Sequence, residues 1–217
     1  MDETRSIERV ATWDNPDQYM RSLRRSYRLE FWNQQPVRCM VVSEKGTIRG
    51  VLAPVLRKYG VGFEVMRGFS SATAARDLAL DKDGRKLIVL CVGDYDPSGM
   101  FMSESDLPTR IKEYGGNHIE LKRIAITREQ AAELISFPAD EKEDDPRYNW
   151  FTTNYGDECW ELDAMDPNDL RDCVKEEIED LIEPDAWERC ETVNDAQVTS
   201  ISGFLKNVET MGSARLD

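Results

Sequence analysis

Two apolar runs that each end in acid set the strongest constraint on how this chain folds. Val37-Arg38-Cys39-Met40-Val41-Val42-Ser43 leads into Glu44, and Leu87-Ile88-Val89-Leu90-Cys91-Val92-Gly93 leads into Asp94-Tyr95-Asp96. Near-continuous apolar runs of this length mark strands buried on both faces of a parallel sheet. A strand that ends in a carboxylate delivers it to one edge of that sheet, where ligands bind in open α/β folds. Three carboxylates gathered at one edge repel one another, so Glu44, Asp94 and Asp96 point to a hard divalent cation such as Mg²⁺. A phosphate substrate then follows naturally.

The rest of the chain supplies helices and strands around these runs. Asn15-Pro16 is an N-cap followed by proline at the first helical position. Tyr19, Leu23, Tyr27 and Phe31 recur every four residues, so residues 16–33 read as an amphipathic helix with Tyr19 and Tyr27 in the core. Its other face carries Arg21, Arg24, Arg25 and Arg28, either a solvated face or the best local candidate for contact with a phosphate backbone. Residues 47–59 read as a helix that Pro54 kinks or shortens. Residues 62–66 form a short strand, and Ser70-Ser71 cap a helix over 72–80. A strand over 87–92 precedes a helix over about 105–114, which Gly115-Gly116 end. Residues 119–126 alternate as a strand, with Ile119, Leu121, Arg123 and Ala125 on one face, and Thr127-x-x-Gln130 is a capping box.

Repeated strand–helix units of this kind predict an α/β fold: a mainly parallel four-stranded sheet with right-handed crossovers and helices on both faces. Residues 136–149 read as an exposed loop. Asp166-Pro167 cap a helix with Leu170, Val174, Ile178 and Leu181 on one face, and a last helix spans about 185–208. These two helices are expected to pack on each other and on the sheet edge. The domain organisation read from the pattern is an N-terminal helical segment over 1–36, an α/β domain over 37–135, and an acidic loop with a C-terminal helical appendage over 136–217.

The net charge of -14 is unevenly spread. Residues 1–60 hold 11 basic and 7 acidic side chains, whereas residues 140–191 hold 5 basic and 20 acidic. A basic footprint over the whole protein is absent, so any nucleic-acid contact falls on the N-terminal third or needs metal. The acidic stretch is either a solvated face or a surface that steers nucleic acid away. His118 is the single histidine, which argues against zinc hydrolases and histidine-based triads. Five cysteines without a C-x-x-C spacing fit a reducing cytoplasm. No run reads as a signal peptide or a membrane span.

Asp94-x-Asp96-x-Ser98-Gly99 partly matches a calcium-binding EF-hand loop. Position 12 is Ser105 where a bidentate glutamate belongs, and a buried strand precedes the motif instead of a helix. Haloacid-dehalogenase-type phosphatases also use Asp-x-Asp, but after the first strand, whereas here it follows the third. A plain turn, with the aspartates capping the next helix, leaves the equivalent position of Glu44 unexplained.

Glu44-Lys45-Gly46, Arg67-Gly68-Phe69-Ser70-Ser71 and Gly93-Asp94-Tyr95-Asp96-Pro97-Ser98-Gly99 together resemble the Toprim domain of topoisomerases, bacterial primases and several nucleases. The Gly-Asp-x-Asp-Pro-x-Gly form is closest to the A subunit of topoisomerase VI and its meiotic double-strand-break relatives. The resemblance covers residues 37–126. Beyond them, Trp160-Glu161-Leu162-Asp163-Ala164 and the helix that follows resemble a subgroup of uncharacterised prokaryotic and phage-type Toprim proteins.

The resemblance implies a Rossmann-like Toprim fold in which Asp94 and Asp96 hold Mg²⁺, with Mn²⁺ as a substitute, and Glu44 shares the metal or acts as general acid/base. Lys45 and Arg67 are candidates to add positive charge and join Glu44 in catalysis. Gly68, Ser98 and Gly99 are candidates for phosphate binding through close turns and backbone N–H groups. Glu161 and Asp163 are candidates for a second metal site. The alternative is that Trp160 and Leu162 anchor an edge segment while both acids face water.

Topoisomerase VI relatives cleave with a tyrosine on a winged-helix domain ahead of Toprim, and about 36 residues precede the first strand here. Covalent strand transfer by this chain alone is therefore not expected. Either a winged-helix or ATPase partner supplies the missing part, or the metal site activates water, or the module is non-catalytic. DNA is the expected ligand, a homodimer is compatible, and no membrane is involved. The leading expectation is Mg²⁺-dependent phosphodiester cleavage. Behind it stand a non-catalytic Toprim module in a larger assembly and phosphoryl transfer on a small phosphate. Gly99-Met100-Phe101-Met102 is unusual after such a motif, because it puts bulky apolar side chains near the site, either to pack the helix or to meet a partner.

Overall fold

The computed structural model describes residues 10–66, 68–81 and 83–213. The chain divides into two compact units. Residues 31–184 form one; the segment through Glu30 and the segment from Asp185 onward form the other.

The larger unit is built on four strands, β1 (Val37–Ser43), β2 (Gly62–Val65), β3 (Lys86–Val92) and β4 (Ile119–Ala125). They pair in the order β2-β1-β3-β4, and every pairing is parallel. The two apolar runs are thus the central neighbours, and Val89, Leu90, Cys91 and Val92 are fully buried. Helix α2 (Arg49–Tyr59) joins β1 to β2 and keeps Pro54 inside it, while α3 (Gly68–Ala79) joins β2 to β3. Gly60, at φ 67°, ends α2 in the left-handed conformation that glycine adopts at no steric cost.

Alternation along the strands assigns the two faces. On one face Val42, Leu87, Val89 and Cys91 pack with Ala75 of α3 and with Leu107 and Ile111 of α5 (Leu107–Glu113). On the other, Leu90 is in register with Lys122, which pairs with Glu177 of α8 (Pro167–Glu179) at 2.5 Å. Leu170, Val174 and Ile178 of α8 are buried, as the helical spacing predicts, and α8 packs on α2 and β4. Asp166 caps α8 by accepting from the Asn168 N–H at 2.7 Å, and the capping box of Thr127 and Gln130 opens the short α6 (Arg128–Ala131). The mainly parallel α/β sheet with helices on both faces is therefore the observed architecture.

Several boundaries differ from the expectations. The helix after β3 starts at Pro97, not near residue 105: α4 (Pro97–Phe101) runs through a π-turn (Met102–Asp106) into α5. Asp96 and Pro97 repeat the cap-plus-proline signal of Asn15-Pro16 and Asp166-Pro167. Helix α3 likewise begins at Gly68, ahead of its expected cap. Residues 136–149 are not an open loop. Phe137–Pro138 (β5) pairs antiparallel with Glu158–Cys159 (β6), and a 3₁₀ turn (Ala139–Lys142) and α7 (Tyr148–Tyr155) lie between them. Ala139 and Phe151 are fully buried, so this short segment carries its own apolar anchors.

In the second unit, α1 (Pro16–Ser26) is capped by Asn15, whose side chain accepts from the Gln18 N–H at 2.9 Å. It stops at Ser26 instead of 33 because Tyr27 turns extended and the Leu29 N–H is taken by the Asn194 side chain at 3.1 Å. Asn194 lies on α9 (Pro184–Ser213), whose residues from Asp185 onward belong to this unit. The expected apolar stripe of α1 is not a core, since Tyr19 and Leu23 are 43% and 39% exposed. Tyr19 packs edge-on against Trp13, and the Tyr27 hydroxyl bonds Gln197.

All five cysteines carry free thiols, and burial pushes Cys39, Cys91 and Cys159 up to about 12, which keeps them uncharged. Among the described residues no helix is long and apolar enough to cross a membrane. Truncating the central strand tests the core: Leu90→Ala is expected to cost about 2–5 kcal/mol in denaturant unfolding. Ile135→Ser, at a side chain 88% exposed, should stay within about 0.5 kcal/mol.

Candidate functional site

β1 and β3 remain in register to their last residues, with Ser43 opposite Val92. Glu44 and Gly93-Asp94 therefore leave the sheet side by side, and the sequence-predicted trio lies at one edge. Asp96 caps α4, its Oδ1 accepting from the Gly99 N–H at 2.7 Å. A methyl group at position 99 would overlap the Asp94 carbonyl oxygen, so glycine is what lets the helix start this close to the loop. Ser98 donates its hydroxyl to Glu44, 3.2 and 3.3 Å from the two carboxylate oxygens, and ties the end of β1 to the loop after β3.

Arg123 holds that loop from β4. Its guanidinium donates to the carbonyls of Gly93 at 2.7 Å, Asp94 at 2.5 Å, Gly99 at 3.2 Å and Ile126 at 2.8 Å, and to the Ser103 hydroxyl at 2.8 Å. Burial pulls its pKa below the ordinary arginine value, against the pull of nearby anionic groups including Asp96 and Asp94. Spacing offered a signal for it: a lone cation sits on the apolar face of a strand whose other members are Ile119, Leu121 and Ala125.

The segment after β4 closes over the same loop. Tyr95 and Trp160 exchange two backbone hydrogen bonds, at 2.8 and 2.9 Å. The Tyr95 ring is buried among Phe151, Tyr155 and Trp160, and burial raises its hydroxyl pKa, so it serves as an anchor. Phe101 packs edge-on against Trp150 at 5.1 Å, which makes the bulky run after the motif a seat for α7. The Leu162 N–H donates to Asp94 Oδ1 at 2.7 Å, and Leu162 itself is buried.

Cations from two segments meet the acids. Lys45 Nζ lies 3.0 Å from Asp94 Oδ1, 3.2 Å from Asp163 and 3.4 Å from Glu161. Asp163 and Glu161 thus join the site through Lys45, although their side chains are 70% and 50% exposed. Lys142 Nζ lies 2.6 Å from Asp96 Oδ2, and Asp96 is only 4% exposed. Arg147 is held by Asp145 at 2.7 and 2.8 Å, and its charge acts on Glu44. Lys142 and Arg147 escaped sequence reasoning because they sit in a strongly acidic stretch that read as solvated. Arg67 lies outside the described residues, and Gly68 opens α3 just after β2.

The electrostatics follow from this crowding. Burial raises the pKa of Glu44 first; the charges of Asp96 and Asp94 add to it, against the Ser98 hydrogen bond and Arg147. Burial works against the ammonium groups of Lys45 and Lys142, but Asp94 with Asp163, and Asp96 with Asp94, outweigh it and hold both above the ordinary lysine value. Among the described residues, no group of three His, Cys, Asp or Glu side chains is spaced to hold a metal ion. Glu44, Asp94 and Asp96 offer only carboxylate oxygens, and two lysines supply positive charge beside them, Lys45 on Asp94 and Lys142 on Asp96. No protein-family model, curated protein or solved structure matches the chain.

The raised Glu44 pKa has a stability consequence with a definite sign. The folded state holds the Glu44 proton more tightly than the unfolded state, so this contribution is present at low pH and is lost as pH rises through the raised pKa. Glu44→Gln should therefore be more stable than wild type at pH 8 without divalent ions, with the gap closing toward acid pH. Denaturant midpoints of both proteins across that range check it, and a gap independent of pH would contradict it.

Proposed function

We propose that this chain is a Toprim-type, Mg²⁺-dependent phosphodiester-cleaving enzyme or subunit acting on nucleic acid. The observation that carries the reading is the in-register end of β1 and β3, which delivers Glu44 and the Asp94-x-Asp96 motif to one edge of a parallel sheet. In the proposed assignment Asp94 and Asp96 hold the cation and Glu44 borders it. Bound Mg²⁺ would stabilise charge developing on the phosphodiester oxygens. Burial and the neighbouring Asp96 raise the pKa of Glu44, which makes it a better proton acceptor than an ordinary carboxylate. Ser98 orients it, and Arg123 fixes the loop. A net charge of -14 favours metal-assisted contact with DNA over contact through a broad basic face.

The ion pairs of Asp94 with Lys45 and of Asp96 with Lys142 favour one second reading. A site neutralised by its own lysines suits a non-catalytic Toprim module that binds nucleic acid within a larger assembly, with a winged-helix or ATPase partner or a second copy of the chain.

Plasmid nicking with Mg²⁺ or Mn²⁺ separates the two. Wild type is expected to nick, and Glu44→Ala, Asp94→Asn and Asp96→Asn each to lose at least about a hundredfold, the scale of removing a preorganised charge-stabilising group. If wild type is as inert as all three variants with every metal and with candidate partners, while it still binds DNA, the second reading takes over.

A further inference from the structure

We propose that the arginine row of α1 is a binding surface for a nucleic-acid strand, which it grips by the phosphates through Arg21 and Arg25. The inference rests on the nucleic-acid partner of the reading above, but on neither its metal nor its cleavage step.

Three observations carry it. First, the basic side chains at this end of the chain are all of one kind: residues 1–44 hold seven arginines and no lysine. A solvated face needs only charge, which lysine supplies as well. A planar guanidinium adds a two-pronged grip on phosphate oxygens that an ammonium lacks.

Second, the row is open. Arg21 and Arg25 are exposed and stand one turn apart on the same side of α1. Among the described residues neither meets a carboxylate, although Asp17 lies one turn ahead of Arg21 and the chain carries 42 acidic side chains. Aspartates hold Arg38, Arg85, Arg110 and Arg147, by contrast. At about 1.5 Å of rise per residue the stems of Arg21 and Arg25 are about 6 Å apart. That is close to two phosphate steps of about 3.4 Å along a strand. Arg28, also exposed, continues the row.

Third, the other side of α1 is already in use. Trp13 packs edge-on against Tyr19 at 4.6 Å, and its indole N–H donates to the Ser22 hydroxyl at 2.7 Å. The Tyr27 hydroxyl bonds Gln197, and the Leu29 N–H donates to Asn194 at 3.1 Å, both on α9. Trp13, Tyr19 and Leu23 are 41%, 43% and 39% exposed, so the greater part of each is covered. A helix made to lie on lipid keeps its apolar face for the bilayer. Here the arginines are the open side, which favours nucleic acid over an anionic membrane. A chain of net charge -14 repels a polyanion in general, so contact confined to a few arginines is the form that metal-free binding takes.

Fluorescence anisotropy of a labelled DNA oligonucleotide, titrated with the full chain in EDTA over a range of salt, tests this. Wild type should bind with an affinity that falls with salt. The double variant Arg21→Gln, Arg25→Gln should bind about tenfold more weakly and lower the logarithmic salt slope by about two, one phosphate per arginine. Arg21→Lys with Arg25→Lys should keep the slope. Arg57→Gln with Arg76→Gln, at exposed arginines of the larger unit, changes the net charge equally and should bind as wild type. An unchanged slope in the α1 variant, or an equal loss in this control, overturns the proposal, while wild-type binding keeps the nucleic-acid partner. Absence of wild-type binding in EDTA also overturns it, and recovery of binding in Mg²⁺ then leaves the metal-assisted reading standing. Cosedimentation with anionic phospholipid vesicles is the second arm: vesicle binding that needs Arg21 and Arg25, without oligonucleotide binding, gives the row to a membrane and overturns the proposal. Thermal melts of all variants should coincide with wild type. If the double variant melts early, Arg25→Gln alone, expected to lower the slope by about one, carries the test.

Discussion

Like charges brought together by strand register are the constraint on which the rest of this molecule depends. The pairing of Ser43 with Val92 leaves no freedom about where Glu44 and Asp94 go. Hydrophobic burial of the central strands enforces that register, because a slip of one residue would turn every apolar side chain of a strand to the other face. Packing thus drives the carboxylates together, and the surrounding structure makes their repulsion tolerable. Ser98 and the Gly99 and Leu162 N–H groups bond to them, and Lys45 and Lys142 neutralise them.

These supports come from distant parts of the chain. Arg123 reaches the loop from β4, Lys142 from the turn after β5, and the Leu162 N–H from beyond β6. The last two are held by an apolar anchor or by backbone pairing: the buried Ala139 at the start of the turn that carries Lys142, and the Tyr95–Trp160 bridge beside Leu162. The acidic stretch from residue 140 is therefore not one surface. Its outward acids meet water, while its few inward groups complete the edge of the sheet.

Much of this was legible in the sequence, for physical reasons that differ by residue. Continuous apolar runs identify buried parallel strands, so β1, β3 and the placement of Glu44, Asp94 and Asp96 followed directly. Caps such as Asn15, Thr127 and Asp166 act through bonds two or three residues away and are local enough to read. Asp96 belongs to the same class: it caps α4 and also faces Glu44, so the capping reading and the gathering of acids at the sheet edge hold together. The stripe of Tyr19 and Leu23 misled because helical spacing shows which residues share a face, not whether anything covers it. Lys142 and Arg147 were out of reach. Their role depends on a tertiary contact 46 residues away in the case of Lys142, and composition pointed the other way.

The bond from the Leu162 N–H to Asp94 spans 68 residues of chain. A sheet of four strands exists in principle once β4 has left the ribosome, yet at that moment Asp94 lacks both this bond and the backbone bridge to Trp160. The charged edge is completed by a part of the chain synthesised after the sheet, so a nascent chain that has not yet extended through Leu162 lacks this bond to Asp94.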